Sequence, residues 1–325
     1  MSKRLAPLSA LSLLLFACGS STGAADGGPT PDGGAADAPP AMDGSTGCMI
    51  DATPGHHTGT CAGLAYDLEV PSSCPAAGCG LVLEAHGLWM NADAMDANSN
   101  LRALGRAKGY AVLQPTAPSG RTPQGPAWLD SDDDAVWTIV TTAAAALKTD
   151  PKRLHVTGFS QGGYMAWRMI CKHSDVIASA APGAGGTGSC PTGNLNGSCD
   201  FVTTKPKAID VLVVAGRKDA IVPISCARAE VQSAIDGWSL GQKQVVASDA
   251  TYERARYAGA SNALEVLEHD YTTDPNGLLA ANAGHCVPGA TPMTGGVWDQ
   301  LACKGPNAFA WGAEVIAFFE AHPKK

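Results

Sequence analysis

Three side chains, distant along the chain, have the types needed to activate a nucleophile: Ser160, Asp219 and His285. Ser160 sits in Gly158-Phe159-Ser160-Gln161-Gly162, the G-x-S-x-G spacing of a nucleophile elbow. A serine hydroxyl attacks a carbonyl poorly until a neighbouring base takes its proton. His285, in a glycine-flanked stretch (Gly284 to Gly289), is the expected base. Asp219, after a Gly216-Arg217-Lys218 turn, is expected to fix the imidazole tautomer and stabilise its charged form. Asp249 and Asp270 compete for the acid role, and His155, His269 and His322 for the base. None of the competing acids follows so apolar a strand through a glycine turn. His155 precedes the elbow on its strand, His269 lies at a strand end, and His322 is near the chain end.

A serine is lifted clear of a sheet only if a strand enters the turn and a helix leaves it. Residues 154–157 read as that strand, and an apolar helix follows to about Cys171. Other strands are predicted at 66–70, 81–85, 110–114, 177–181, 209–215, 251–257 and 264–269. Helices are predicted at 98–109, from an N-cap at Ser131, at 225–238 and at 308–319, with Asp132, Asp133 and Asp134 complementing the second helix's positive end. This alternation predicts an α/β fold, a mostly parallel central sheet flanked by helices, with chemistry at the carboxyl ends of the strands. The strand at 81–85 runs into His86-Gly87-Leu88. The backbone N–H groups of Leu88 and Gln161 are therefore the expected oxyanion donors, and the His86 side chain is expected to shape that loop. The loop at 115–126 is a natural place for substrate contacts, and Trp128 just beyond it is a candidate pocket residue.

The 325 residues are 45% hydrophobic and carry a formal net charge of −8 without a basic run, which disfavours nucleic acid and anionic membrane surfaces as partners. Residues 1–17 have a basic start and an apolar core, the pattern of a signal peptide. They end Leu15-Phe16-Ala17-Cys18, which resembles a lipobox with an unusual Phe16, so Cys18 is expected to carry lipid, and ordinary signal-peptide cleavage is the alternative. Gly19 after it favours the outer membrane or cell surface, and a lipid anchor would be the sole membrane attachment. Residues 19–47, rich in Gly, Ala, Asp and Pro, predict a disordered tether to a catalytic domain at 48–325. Setting Cys18 apart leaves ten of the 11 cysteines: Cys48, Cys61, Cys74, Cys79, Cys171, Cys190, Cys199, Cys226, Cys286 and Cys303. In an exported chain an even set implies disulfides. Proximity favours Cys48–Cys61, Cys74–Cys79, Cys190–Cys199 and Cys286–Cys303, which leaves Cys171–Cys226, although spacing alone does not fix connectivity. No C-x-x-C pair occurs, so no metal is expected. His56 and His57 read as solvated loop residues.

Six segments in order carry a more specific likeness: AHG at 85–87, DDDAVW at 132–137, GFSQGGYMAW at 158–167, VAGRKDAIVP at 214–223, TYERARY at 251–257 and GHCVPG at 284–289. Together they resemble the polyhydroxybutyrate depolymerase and feruloyl esterase family of secreted α/β-hydrolases, across about residues 60–320. The resemblance implies a cofactor-independent extracellular serine esterase, with Ser160, Asp219 and His285 as the triad and Gln161 and Leu88 as oxyanion donors. It implies a polymeric or oligomeric ester substrate. A hydroxyalkanoate polyester comes first, and a feruloyl or acetyl ester of plant polysaccharide is the alternative. Val287, where relatives often have Trp, and the run Leu88-Trp89-Met90 depart from the pattern and flank the expected cleft. A non-catalytic binding module on the same scaffold and a peptidase are the rival functions.

Overall fold

The computed structural model describes residues 48–74, 78–186, 199–277, 279–290 and 301–325. The leader, Cys18, the tether and Cys190 lie outside them. The fold is an α/β-hydrolase sheet, a ten-stranded array in the order β1-β2-β4-β3-β5-β6-β7-β10-β9-β8. Its strands are β1 (Gly55–Cys61), β2 (Leu64–Val70), β3 (Gly80–Ala85), β4 (Tyr110–Thr116), β5 (Leu154–Phe159), β6 (Ser179–Gly183), β7 (Asp210–Gly216), β8 (Gln244–Ser248), β9 (Tyr252–Ala258) and β10 (Ala263–His269). The central run β4-β3-β5-β6-β7-β10 is parallel throughout. The pairs β1–β2, β2–β4, β9–β10 and β8–β9 are antiparallel.

Strands β3, β5, β6 and β7 are buried along their whole length, and the apolar runs of β3 and β7 show no alternation. Helices cover both faces. On one, α3 (Asp133–Ala146), α4 (Gln161–His173) and α6 (Ile224–Trp238) pack Val136, Ile139, Val140, Met165, Met169 and Val231 against Leu81, Leu83, Val156 and Val211. On the other, α1 (Ala92–Ser99), α2 (Leu101–Ala107) and α7 (Trp311–Ala321) pack Met95, Leu101, Trp311, Val315 and Phe319 against Val82, Val112, Phe159, Leu212 and Val214. The short helix α5 (Phe201–Thr204) seats Phe201 edge-on against Trp167 and Trp238.

Several local expectations are corrected. The stretch holding His56 and His57 is not a loop but edge strand β1, with His56 beside Asp67 at 3.1 Å. The helix expected over 98–109 is two helices broken at Asn100, whose φ of 57° is left-handed. Asn tolerates that conformation better than most residues. Ser131 is not an N-cap, because a 3-10 turn over Asp130–Asp132 precedes α3. Asp132 and Asp133 do more than complement a helix end. Asp132 forms a two-pronged pair with Arg121, and buried Asp133 receives Arg168 Nε and Nη2, each at 2.8 Å. Strand β8 has no counterpart among the predicted strands. It lies at the outer edge, paired with β9 through a bulge between Val245 and Ala247.

Disulfides join Cys48–Cys61, Cys74–Cys79 and Cys286–Cys303, as expected. Cys171 bonds Cys199, which corrects both Cys190–Cys199 and Cys171–Cys226. Cys171 sits near the end of α4 and Cys199 just before α5, so their elements bring together cysteines 28 positions apart. Cys226 is also disulfide-bonded.

Candidate active site

The elbow forms because the first turn of α4 packs against the ends of β3, β5 and β6 at van der Waals limits. A Cβ on Gly162 would lie 1.9 Å from the Ala85 carbonyl oxygen, and one on Gly158 would lie 2.4 Å from that of Gly162. Only hydrogen fits at these positions. Ser160 takes φ 57° and ψ −120°, a conformation rare for a residue with a side chain and characteristic of strained functional positions. Its N–H donates to Gly183 O at 2.9 Å, and its carbonyl receives Tyr164 N–H at 3.1 Å, the first turn of α4. The free N–H groups of that first turn place positive potential beside the hydroxyl.

Asp219 follows β7 through a tight turn. Its Oδ1 accepts N–H groups from Ile221 at 2.8 Å and Val222 at 2.7 Å, which turns Oδ2 toward the ring. His285 Nδ1–H donates to that Oδ2 at 2.7 Å, and Ser160 Oγ lies 2.9 Å from His285 Nε2. Both Asp219 and His285 are buried. The geometry thus joins the three residues singled out in the sequence into one hydrogen-bonded chain. With Nδ1 donating to the carboxylate, Nε2 is left free to accept the serine proton.

The base loop is held from both sides. Gly284 N–H donates to Lys218 O at 3.0 Å, Thr273 N–H to Ala283 O at 2.8 Å, and Val287 N–H to Leu301 O at 2.8 Å. The Cys286–Cys303 bond starts at the residue next to His285. None of the competing residues reaches Ser160. Asp270 pairs with Arg217 at 2.8 Å, and Asp249 caps the turn at Thr251. His155 stacks on Phe319 and contacts Ser179 Oγ. His322 stacks on Phe318. His269 ends β10, stacked on Tyr271, and burial pulls its pKa down to about 4 although Asp219 and Asp270 oppose the shift.

Gly87 runs beside the nucleophile, where a Cβ on it would lie 3.4 Å from Ser160 Cβ. The loop carrying Leu88 therefore stands against the elbow carrying Gln161. His86 is fully buried, with a pKa lowered by desolvation to about 4. Its Nε2 accepts Ala117 N–H at 3.0 Å, and its Nδ1–H donates to Gly87 O at 2.7 Å. Of the three candidate substrate residues, Trp89 alone reaches solvent, at 39% exposure and with φ 64°. Trp128 and Val287 are completely buried, so they brace the site and do not line it. The sequence also hid the Gln161 side chain, which contacts both main-chain polar groups of Trp128. A glutamine following an elbow serine draws attention to its N–H, and nothing in the pattern signals a use for the amide.

A groove of about 210 Å³ between α6 and the sheet shares no residue with the triad, and Arg228 and Glu268 on its rim are already paired. Among the described residues no cluster of three or more His, Cys, Asp or Glu is arranged to hold a metal, and no helix is long and apolar enough to cross a membrane.

The sheet order, the elbow and the Ser-Asp-His chain order together define an α/β-hydrolase fold with a serine-centred site. Relatives fit that class. The chain is 32% identical over 167 residues to the candidate esterase NocK of Nocardia uniformis subsp. tsuyamanensis, covering 49% of this chain and 46% of that protein. It is 34% identical over 133 residues to poly(3-hydroxyalkanoate) depolymerase C of Paucimonas lemoignei, covering 38% of this chain and 32% of that protein. The chain thus spans less than half the length of either relative. In fold it is similar to an acetyl xylan esterase from Aspergillus awamori, with a TM-score of 0.51 at 14% identity, covering 66% of this chain and 94% of that one. No protein-family model matches the chain. These similarities support the esterase family suggested by the six sequence segments.

Proposed function

We propose that the chain is a serine ester hydrolase. The supporting observation is the hydrogen-bonded run from Ser160 through His285 to Asp219, at 2.9 and 2.7 Å. In this reading Ser160 Oγ attacks the ester carbonyl carbon as its proton passes to His285 Nε2. The tetrahedral oxyanion is received by the N–H groups of Leu88 and Gln161. The imidazolium, stabilised by Asp219, returns its proton to the departing alkoxide, so the alcohol leaves and Ser160 is acylated. Water then repeats the sequence, with His285 as base, and frees the acid. Each residue supplies one role, and no external cofactor is needed.

The substrate class is inferred to be a hydroxyalkanoate polyester or its oligomers, on the 34% identity to the poly(3-hydroxyalkanoate) depolymerase. Disulfides at four described pairs fit an oxidising, extracellular setting. The lipobox-like end of 1–17 and the composition of 19–47 support a lipid anchor on Cys18 followed by a tether. Incorporation of an alkynyl fatty acid into the wild type and not into Cys18→Ala tests the anchor.

A fluorophosphonate should label the wild type at Ser160 and leave Ser160→Ala unlabelled; an unlabelled wild type would favour a binding module. Turnover of soluble hydroxybutyrate oligomers should exceed that of methyl ferulate and acetylated xylan. The reverse ranking would move the substrate to plant polysaccharide esters, and peptide cleavage without ester turnover would make the protein a peptidase.

A further inference from the structure

The Leu88 N–H shares a planar trans peptide with the Gly87 carbonyl, so whatever holds that carbonyl aims the N–H. His86 Nδ1–H holds it at 2.7 Å, and Met90 N–H also donates to it, at 3.1 Å. The preceding peptide is held as well, because Trp128 Nε1–H donates to His86 O at 3.0 Å. The Trp128 ring lies against the His86 imidazole, with centroids 4.8 Å apart. Trp128 is itself fixed from the elbow. Its N–H donates to Gln161 Oε1 at 2.9 Å, and Gln161 Nε2 donates back to Trp128 O at 3.0 Å. His86, Gly87, Trp128 and Gln161 are all buried, and there a hydrogen bond resists replacement by water and loss of one partner leaves the other unsatisfied.

We infer that the Gln161 side chain, acting through Trp128 and His86, is a positioning device for the oxyanion donor on Leu88. Gln161 then serves the hole twice. Its main-chain N–H is one donor, and its side chain sets the direction of the other. The elbow and the oxyanion loop are separated by some 70 residues of chain. This relay couples them without passing through the triad. A donor that is present but misdirected still lets substrate bind, and it fails only where charge develops on the carbonyl oxygen. The signature should therefore fall on kcat.

The inference rests on Ser160 being an acylated nucleophile, and the experiment separates the two. Wild type, Gln161→Met, Trp128→Phe and the double variant are assayed on a p-nitrophenyl ester and on its thionoester, whose sulfur accepts hydrogen bonds poorly. Gln161→Met keeps length and apolar bulk; Trp128→Phe keeps an aromatic ring and loses Nε1–H. Each single variant should lose about 10- to 100-fold in kcat, less than the roughly 10²–10³ of deleting a donor, with KM within about threefold. Preference for ester over thionoester should shrink by a similar factor. The double variant should fall no further than the weaker single one, because both cut the same relay. Gln161→Glu, which keeps the oxygen facing Trp128 N–H and loses the donor, should fall between wild type and Gln161→Met and serves if the latter does not fold. Unchanged kcat, an unchanged ester-to-thionoester ratio, or additive losses would overturn the inference while leaving the esterase reading intact. A wild type that neither turns over esters nor takes up a fluorophosphonate would remove the esterase reading first.

Discussion

Ser160 and His285 meet at 2.9 Å, yet the two regions that bring them there are built by opposite means. The elbow is positioned from within the sheet. The first turn of α4 lies so close to the ends of β3 and β6 that only glycine hydrogens fit between them, and no disulfide lies within the turn itself. The base loop lies beyond the last strand and is held by two isolated bridges, Asp219 to Ala283 and Val287 to Ala302, by the Thr273 N–H bond to Ala283 O and by the Cys286–Cys303 disulfide. Sheet geometry can place one atom to a fraction of an ångström through packing alone. A loop that must reach the same atom from outside needs restraints that limit its unfolded freedom.

That contrast can be broken at its stiffest point first. Gly162→Ala pushes a methyl into two main-chain oxygens, Ala85 O at 1.9 Å and His86 O at 2.9 Å, neither of which can rotate away. Activity should drop at least about 10³-fold with a stability loss of ~3 kcal/mol or more, measured by ester assay and urea unfolding. Asp219→Asn leaves both regions folded and disturbs the tautomer that joins them. It should lower kcat by about 10⁴ with little change in the urea midpoint. On the loop side, Cys286→Ser with Cys303→Ser opens a closure spanning 17 positions and should cost about 3 kcal/mol. Because His285 adjoins the bridge, kcat should fall roughly tenfold at temperatures where circular dichroism still reports a native fold. Activity that tracks unfolding alone would mean that the bridge does not brace the base.

The smallest effect is a pH trend from groups that neither region uses directly. Burial lifts the Glu84 carboxyl to about 8, with Asp96 adding to the shift and hydrogen bonds from Ser99 and Gln114 opposing it. Burial likewise lifts Glu230 to about 8. A folded-state pKa above the unfolded one means that the native state binds the extra proton. The stability these two groups contribute is full below about 4.5 and is lost as pH rises to about 8. Burial pulls His86 and His269 to about 4 and His155 to about 3, which acts in the opposite sense. Their contribution is full above about 6.5 and is lost as pH falls toward 4. Glu84→Gln should therefore flatten the decline in Tm between pH 5 and 8 and leave the acid side unchanged; an unaltered slope would show that Glu84 does not carry the trend.

Much of this was readable in advance because burial writes plainly where a strand has neighbours on both faces. The runs at β3 and β7 are mostly apolar, and the glycines around Ser160 announce close backbone approach. Legibility failed where a segment has no interior to record. Strand β1 alternates half-exposed and exposed residues, and β8 is exposed at four of five positions, so neither carries an apolar stripe. Charged residues misled in a different way. Glu84, Asp133 and Arg168 look solvent-facing by type, yet they are buried because partners from elements remote in sequence satisfy them. Trp128 suggested a pocket wall for the same reason. Its main-chain partner is an amide 33 positions later. The cystine pattern obeyed proximity only where both cysteines sit on one local feature, and it failed where α4 and α5 bring Cys171 to Cys199.

The bulge in β8 has a consequence for the protein in crowded solution. This outermost strand shows Val245 at 54% and Val246 at 51% exposure, the kind of sticky rim on which another chain could build a fibril. The extra residue between Val245 and Ala247 throws the outward amides out of step, so an incoming strand finds no regular ladder to copy. Two bare valines thus face water on an edge that is a poorer template than a regular strand would be.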